Sequence, residues 1–278
     1  MNFIKIKKAN YKAAGYLFVG FCFSIASGSL FASEKALYKE ALMQYDALLK
    51  TAVNHSLVDY DVLKSNQHTI EQYLYALGVT QLDALQKDEK LALYINAYNV
   101  FVIRLILDYW PYIRSIKDIP EFPVPRRFKD KRWRLAGKLV SLNDVEREYL
   151  ESLRVPTAYM ALVCAARSCP DLRKGVYTAA SIKKQLTEAT RKYLSQDKGL
   201  RWGMKKLLLG AKWPVLYVSE IFRWKKPYIE YSGYSVLSFI EEFAPVEARA
   251  FIAKYRKGMA VFYLDYDWAL NAQNAGER

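Results

Sequence analysis

The spacing of apolar positions predicts a chain built mainly of helices. From Lys35 to Leu49 the residues Leu37, Ala41, Leu42, Tyr45, Leu48 and Leu49 recur at helical intervals. Ser56 to Tyr60 reads as a short extended or turn segment leading into a helix near Asp61–Lys64. Gln67–Leu77 and Gln81–Leu85 read as two helices with Gly78 as a stop between them. Lys87 to Trp110 is apolar on more than one side, through Leu91, Leu93, Ile95, Val100, Val102, Ile103, Leu105 and Ile106. That pattern describes a buried helix, ended by Pro111. Thr178–Leu194, Ser219–Trp224, Ser235–Phe243 and Pro245–Tyr255 add further helices.

Alternation marks the strands. Arg132 to Ser141 alternates around Ala136-Gly137 and predicts a β-hairpin, after which Ser141 or Asn143 caps a new helix. Leu200–Leu209, Val215–Val218 and Ala260–Tyr266 read as strands, while the apolar run Ala158–Val163 is too short to assign. The expected fold is α+β, mostly helical with a small antiparallel sheet.

The N-terminus changes the picture. Lys5, Lys7, Lys8 and Lys12 precede an apolar run from Ala13 to Ile25, and small residues follow near Ala32. This predicts a signal peptide over residues 1–32 and a single domain over 33–278, hence a periplasmic or secreted protein that is not integral to the membrane after cleavage. Net charge is +14, and removing the leader's four lysines leaves +10. A basic exported protein suits an anionic envelope polymer or lipid as partner, with Arg126–Arg134 as one basic stretch. No recognition motif points to nucleic acid, and no cofactor motif is present.

Candidate chemistry centres on two cysteines. Cys164 and Cys169 lie in Ala161-Leu-Val-Cys-Ala-Ala-Arg-Ser-Cys-Pro-Asp-Leu-Arg173. Four readings are open. Cys164 could be a thiolate nucleophile, with Arg167 the nearest cation but no base beside it. The pair could ligate a metal with His55 and His68, the chain's two histidines, although the spacing is unlike the usual zinc hook. The pair could form a disulfide in an oxidising compartment, with Pro170 favouring the turn. Or both could be packed thiols.

Asn96 and Asn99 share one side of the long helix, either to orient a ligand together with Arg167, Cys169 and Glu220, or to bond neighbouring backbone. Asp144, Glu146 and Glu220 suit the first turns of helices, where the dipole favours acids. Asp265 and Asp267 would share one face of a strand. Abundant Tyr and Trp suit either glycan stacking or core packing.

Five segments together carry a resemblance. They are Leu91–Asn99, Ser141–Glu146, Ala161–Arg173, Tyr217–Trp224 and Leu264–Asn271. In order and spacing they resemble the family called domain of unknown function 547, from about Leu48 to Asn271. The resemblance implies no established reaction. Relatives often carry histidine where this chain has Tyr159 and Arg147, and tryptophan where it has Tyr94. A cysteine–histidine mechanism is therefore not implied here. The expected role is structural or ligand-binding. The alternatives are a thiol-dependent hydrolase or transferase using Cys164, and a basic adaptor for anionic polymer.

Overall fold

The computed structural model describes residues 24–120, 126–206 and 210–273, with side chains from residue 34 onward. Most of the predicted leader, and the proline-rich centre of the basic loop, lie outside the described residues.

Helix α1 (Ser24–Ala52) runs into a two-stranded ribbon, β1 (Val53–Asn54) and β2 (Leu57–Val58). Helix α2 (Tyr60–Ser65) follows, its N-terminus held by Asp59, whose carboxylate accepts from the Val62 N–H at 3.0 Å. Helix α3 (Gln67–Val79) packs on α1, and α4 (Lys87–Leu107) fills the centre. As its all-round apolar pattern requires, α4 is buried from Leu91 to Leu107 apart from Arg104. It is long and apolar enough to cross a membrane, but 89% of that stretch is enclosed by the protein.

Two expectations fail around Gly78. The glycine does not stop α3, which continues through it to Val79. Its role is close approach: a Cβ there would meet the Arg134 Cβ at 3.3 Å. The Leu77 and Gly78 carbonyls also accept from the Ala136 and Gly137 N–H groups, at 3.0 and 2.6 Å. Gln81–Leu85 is a turn closed by Leu85 N–H to the Leu82 carbonyl, not a helix.

The hairpin forms as its pattern predicts, pairing β3 (Trp133–Leu135) with β4 (Lys138–Val140). Ala136 and Gly137 both take positive φ, which matches the twist of a two-residue turn. Ser141 then caps α5 (Leu142–Asp144), and Asp144 returns a bond to the Ser141 N–H. The chain widens into a π-helical stretch over Val145–Leu150.

Helix α6 (Ile182–Leu194) leads to the largest sheet, β5 (Leu200–Lys206), β6 (Lys212–Val218) and β7 (Ala260–Tyr263). β5 and β6 are antiparallel. β7 joins β6 in parallel, because α7 (Glu220–Trp224), α8 (Lys226–Tyr231), α9 (Val236–Phe243) and α10 (Val246–Tyr255) form a long crossover between them. α8 was not anticipated from the pattern, and Pro227 starts it. The final strand stops at Tyr263, short of the expected Tyr266. One buried apolar cluster runs from Ala41 through α4 to Ala272.

Candidate functional site

The cysteine loop, residues 161–173, is fixed from two directions. On one side stand the α4 asparagines. Asn99 Nδ2 donates to the Ala161 carbonyl at 3.0 Å, and its Oδ1 accepts from the Val163 N–H at 2.9 Å. Asn96 treats Tyr177 the same way, at 2.8 and 2.9 Å. Each buried amide acts as a rung of backbone, pairing where no strand is available. On the other side lies the extended segment after β7. Ala166 bridges Leu270, the Arg167 N–H donates to the Ala269 carbonyl, and the Asn271 N–H donates to the Ala165 carbonyl. The Ser168 hydroxyl accepts from the Asp267 N–H at 2.8 Å.

Held this way, the loop turns back on itself through Ala165, which sits at φ +62°. Cys164 and Cys169 lie at disulfide distance, with Cα atoms 6.2 Å apart, inside the usual span for a bridge. The Cys164 N–H also donates to the Cys169 sulfur at 2.9 Å. Cys169 is buried, whereas Cys164 is half-buried and faces a cleft.

That cleft has about 210 Å³ of open volume. One wall is aromatic. Tyr266 and Trp268 have ring centres 4.6 Å apart, and Trp224 sits 4.8 Å from Tyr266 and 5.6 Å from Trp268. The Tyr266 hydroxyl is 3.2 Å from each cysteine sulfur. Burial pushes that hydroxyl well above its ordinary pKa, so it stays protonated and serves as a donor.

The cleft lining also carries charge. Glu146 pairs with Lys225, and both are mostly buried. The Lys225 ammonium lies 4.6 Å from the centre of the Tyr159 ring. Tyr159 in turn donates to Glu151 at 3.0 Å. Burial, and next the charge of Glu146, raise the Tyr98 and Tyr159 hydroxyls far above the usual tyrosine range. The cleft thus offers stacking surfaces, a disulfide, and one ion pair as its polar anchor.

The residues expected to form a site part company here. Cys164 and Cys169 line the cleft. Asn96 and Asn99 lie behind it, with their amides committed to backbone. Arg167 projects to solvent. Glu220 opens α7 and faces Arg223 at 2.7 Å, in keeping with a first-turn acid. Asp144 is a helix cap, but Glu146 is a cleft residue. The π-helical turn begins between them and re-aims the side chains that follow. Asp265 and Asp267 are not on a strand, and Asp267 closes a turn by accepting from the Ala269 N–H. His55 and His68 are not among the residues lining the cleft.

Tyr266, Trp268, Trp224 and Lys225 were missed as a group. The signal available was that Trp224, Tyr266 and Trp268 fall in two of the five segments that carry the resemblance, with Lys225 directly after the first.

A comparison with known families bears on part of this region. Residues 82–194 match the family model described as a protein of unknown function, DUF547. Over that stretch the chain is similar to the DUF547 family. No curated protein and no solved structure matches the chain. The DUF547 segment contributes Tyr98, Asn143, Glu146, Tyr159, Leu162 and both cysteines to the cleft. Trp224, Lys225, Tyr266 and Trp268 come from beyond it. Two positions where DUF547 relatives often carry histidine, Tyr159 and Arg147, fall on the cleft wall and one residue after Glu146.

Proposed function

We propose that this chain is a ligand-binding protein of the cell envelope whose cleft takes a single ring-sized group, with a sugar ring as the fitting class. The observation that carries this reading is the aromatic cluster of Trp224, Tyr266 and Trp268 lining one cleft together with the Glu146–Lys225 pair. Pyranose rings stack their C–H faces on aromatic rings and offer hydroxyls to a neighbouring ion pair. A volume of about 210 Å³ suits one ring, not an extended chain. The leader pattern of residues 1–32 supports an envelope location, and so does a cysteine pair at disulfide distance.

The test is a fluorescence or calorimetric titration with short N-acetylated and neutral oligosaccharides. Trp224→Ala should weaken binding by about 10-fold or more, the scale of one lost stacking partner. If no such sugar binds the wild type, or Trp224→Ala binds as tightly as wild type, the reading fails.

A second reading has one observation in its favour: Cys164 faces the cleft. As a nucleophile it would first need a reductant to open the pair, and then a base. The nearest titratable neighbour is Tyr266, whose hydroxyl holds its proton. The third reading, a basic adaptor acting through Arg126–Arg134, is weakened by pairing within that stretch. Arg126 and Arg132 both bond Asp130, at 2.7 and 3.3 Å.

A further inference from the structure

Strands β5 and β6 leave the body of the protein as a two-stranded ribbon. At their base Leu200, Leu216 and Val218 are buried. Farther out the described residues Met204, Lys205, Lys206, Gly210, Ala211, Lys212 and Trp213 are all exposed. A Cβ built on Gly203 or Gly210 would meet nothing within 4 Å. A lone ribbon of this kind is marginal in water, because neither face is covered.

Its chemistry is one-sided. β5 and β6 carry Arg201, Lys205, Lys206 and Lys212 and no carboxylate. Among the described residues none of these four has an acidic partner. The register sets Lys206 directly opposite Lys212, so two like charges face each other with nothing to neutralise them. The ribbon and the strand beside it also expose large apolar groups. Trp213 is 48% and Met204 42% exposed, and on the adjoining β7 Val261, Phe262 and Tyr263 are 40–49% exposed. Alternation puts Lys205, Trp213 and Phe262 on one face and Met204, Lys206 and Lys212 on the other, so each face carries both cationic and apolar groups. Lys205 pairs with Trp213 across the ladder, and its ammonium sits 5.2 Å from the Phe262 ring centre.

We infer that this ribbon docks the protein edge-on against an anionic lipid surface, with Lys205 of one face and Lys206 and Lys212 of the other on the headgroups and Trp213 in the interfacial layer. Charge alone would also suit a soluble polyanion. The exposed Trp, Met, Phe and Val favour lipid, since a polyanion gives them nothing to bury against, whereas the membrane interface accepts an aromatic ring with a polar edge. Unlike the Arg126–Arg134 stretch, β5 and β6 hold no acid of their own. The inference does not depend on what the cleft binds.

The experiment is co-sedimentation of the full chain with vesicles of phosphatidylglycerol and phosphatidylethanolamine, and separately with phosphatidylcholine alone. Binding to the anionic vesicles should fall as salt rises. Combined Lys205→Glu, Lys206→Glu and Lys212→Glu should weaken it by at least about 100-fold, from roughly 5-fold per cation. Trp213→Ala should weaken it by about 10-fold. All four residues are exposed, so circular dichroism should show unchanged folding. If the glutamate variant unfolds, the triple Lys→Gln variant takes its place. Failure to bind anionic vesicles overturns the proposal. So does Trp213→Ala binding like wild type while polyglutamate competes fully, which would mark the ribbon as a simple polyanion site.

Discussion

Asn99 and Trp224 serve the same cysteine loop in opposite ways. Asn99 is buried and both ends of its amide are bonded to loop backbone, so nothing of it remains for a ligand. Trp224 is 42% exposed and leans on Tyr266 and Trp268 with part of its ring open to the cleft. A polar group in an apolar interior invites a functional interpretation, yet burial is what obliges it to find partners within the chain. The half-used aromatic is the better sign of a site. Stability should follow the first kind of residue and binding the second.

The largest stability effect should come from Asn99→Ala. It leaves the Ala161 carbonyl and the Val163 N–H unpaired in the core, and urea unfolding should show a loss of about 3–4 kcal/mol. An Asn99→Ala protein as stable as wild type but unable to bind ligand would reverse the comparison.

Next is Asp171, just beyond the cysteines. Its carboxylate is buried and receives Lys192 and Lys198 at 2.8 and 2.6 Å, with Gln196 and Ser56 adding hydrogen bonds. Burial alone would raise its pKa, but those four partners outweigh burial and hold the carboxyl well below the usual carboxylate range. A depressed folded pKa stabilises the protein fully at neutral pH. The contribution fades as pH falls below about 4, the unfolded value, and is lost only below the folded one. Asp171→Asn should cost about 2–3 kcal/mol at pH 7 and flatten that acid-side loss. A wild-type-like acid profile in Asp171→Asn would show that the cluster does not set it.

A smaller effect is expected from opening the cysteine pair. A bridge across a separation of five residues restricts the unfolded chain modestly, so reductant, or the double Cys164→Ser and Cys169→Ser variant, should remove about 2 kcal/mol. Equal stability with and without reductant would mean that the asparagine rungs and the Leu264–Asn271 segment fix the loop unaided.

Much of the fold was legible because helices advertise themselves by period. The buried all-round pattern of Lys87–Leu107, the Ala136-Gly137 turn and the Ser141 cap each follow from local rules that the tertiary structure does not overrule. Gly78 was misread because its reason is the Arg134–Gly137 hairpin packed against it, more than fifty positions away, not the helix it sits in. The parallel placement of β7 depends on how four helices cross over, which no strand pattern encodes. The cleft was half legible. The cysteines stood out by rarity, and Glu146 was noticed but taken for a helix-start acid. Tyr266 and Trp268 could not be told from core aromatics, because what distinguishes them is the neighbour each one lacks.

The segment from Leu264 to Asn271 has a consequence for how the molecule comes together in time. Its Tyr266 touches a cysteine 102 positions earlier, and its Asn271 receives the Val58 N–H and the Tyr60 hydroxyl from the opening of the chain. A ribosome releases these residues long after both cysteines have emerged. Until they arrive, the cysteine loop lacks its second support and the cleft lacks a wall, so the thiols stay open to oxidants and wrong partners. Site assembly should therefore be among the last folding events. A chain cut short before Leu264 should keep its helices while leaving Cys164 and Cys169 accessible to alkylating reagents.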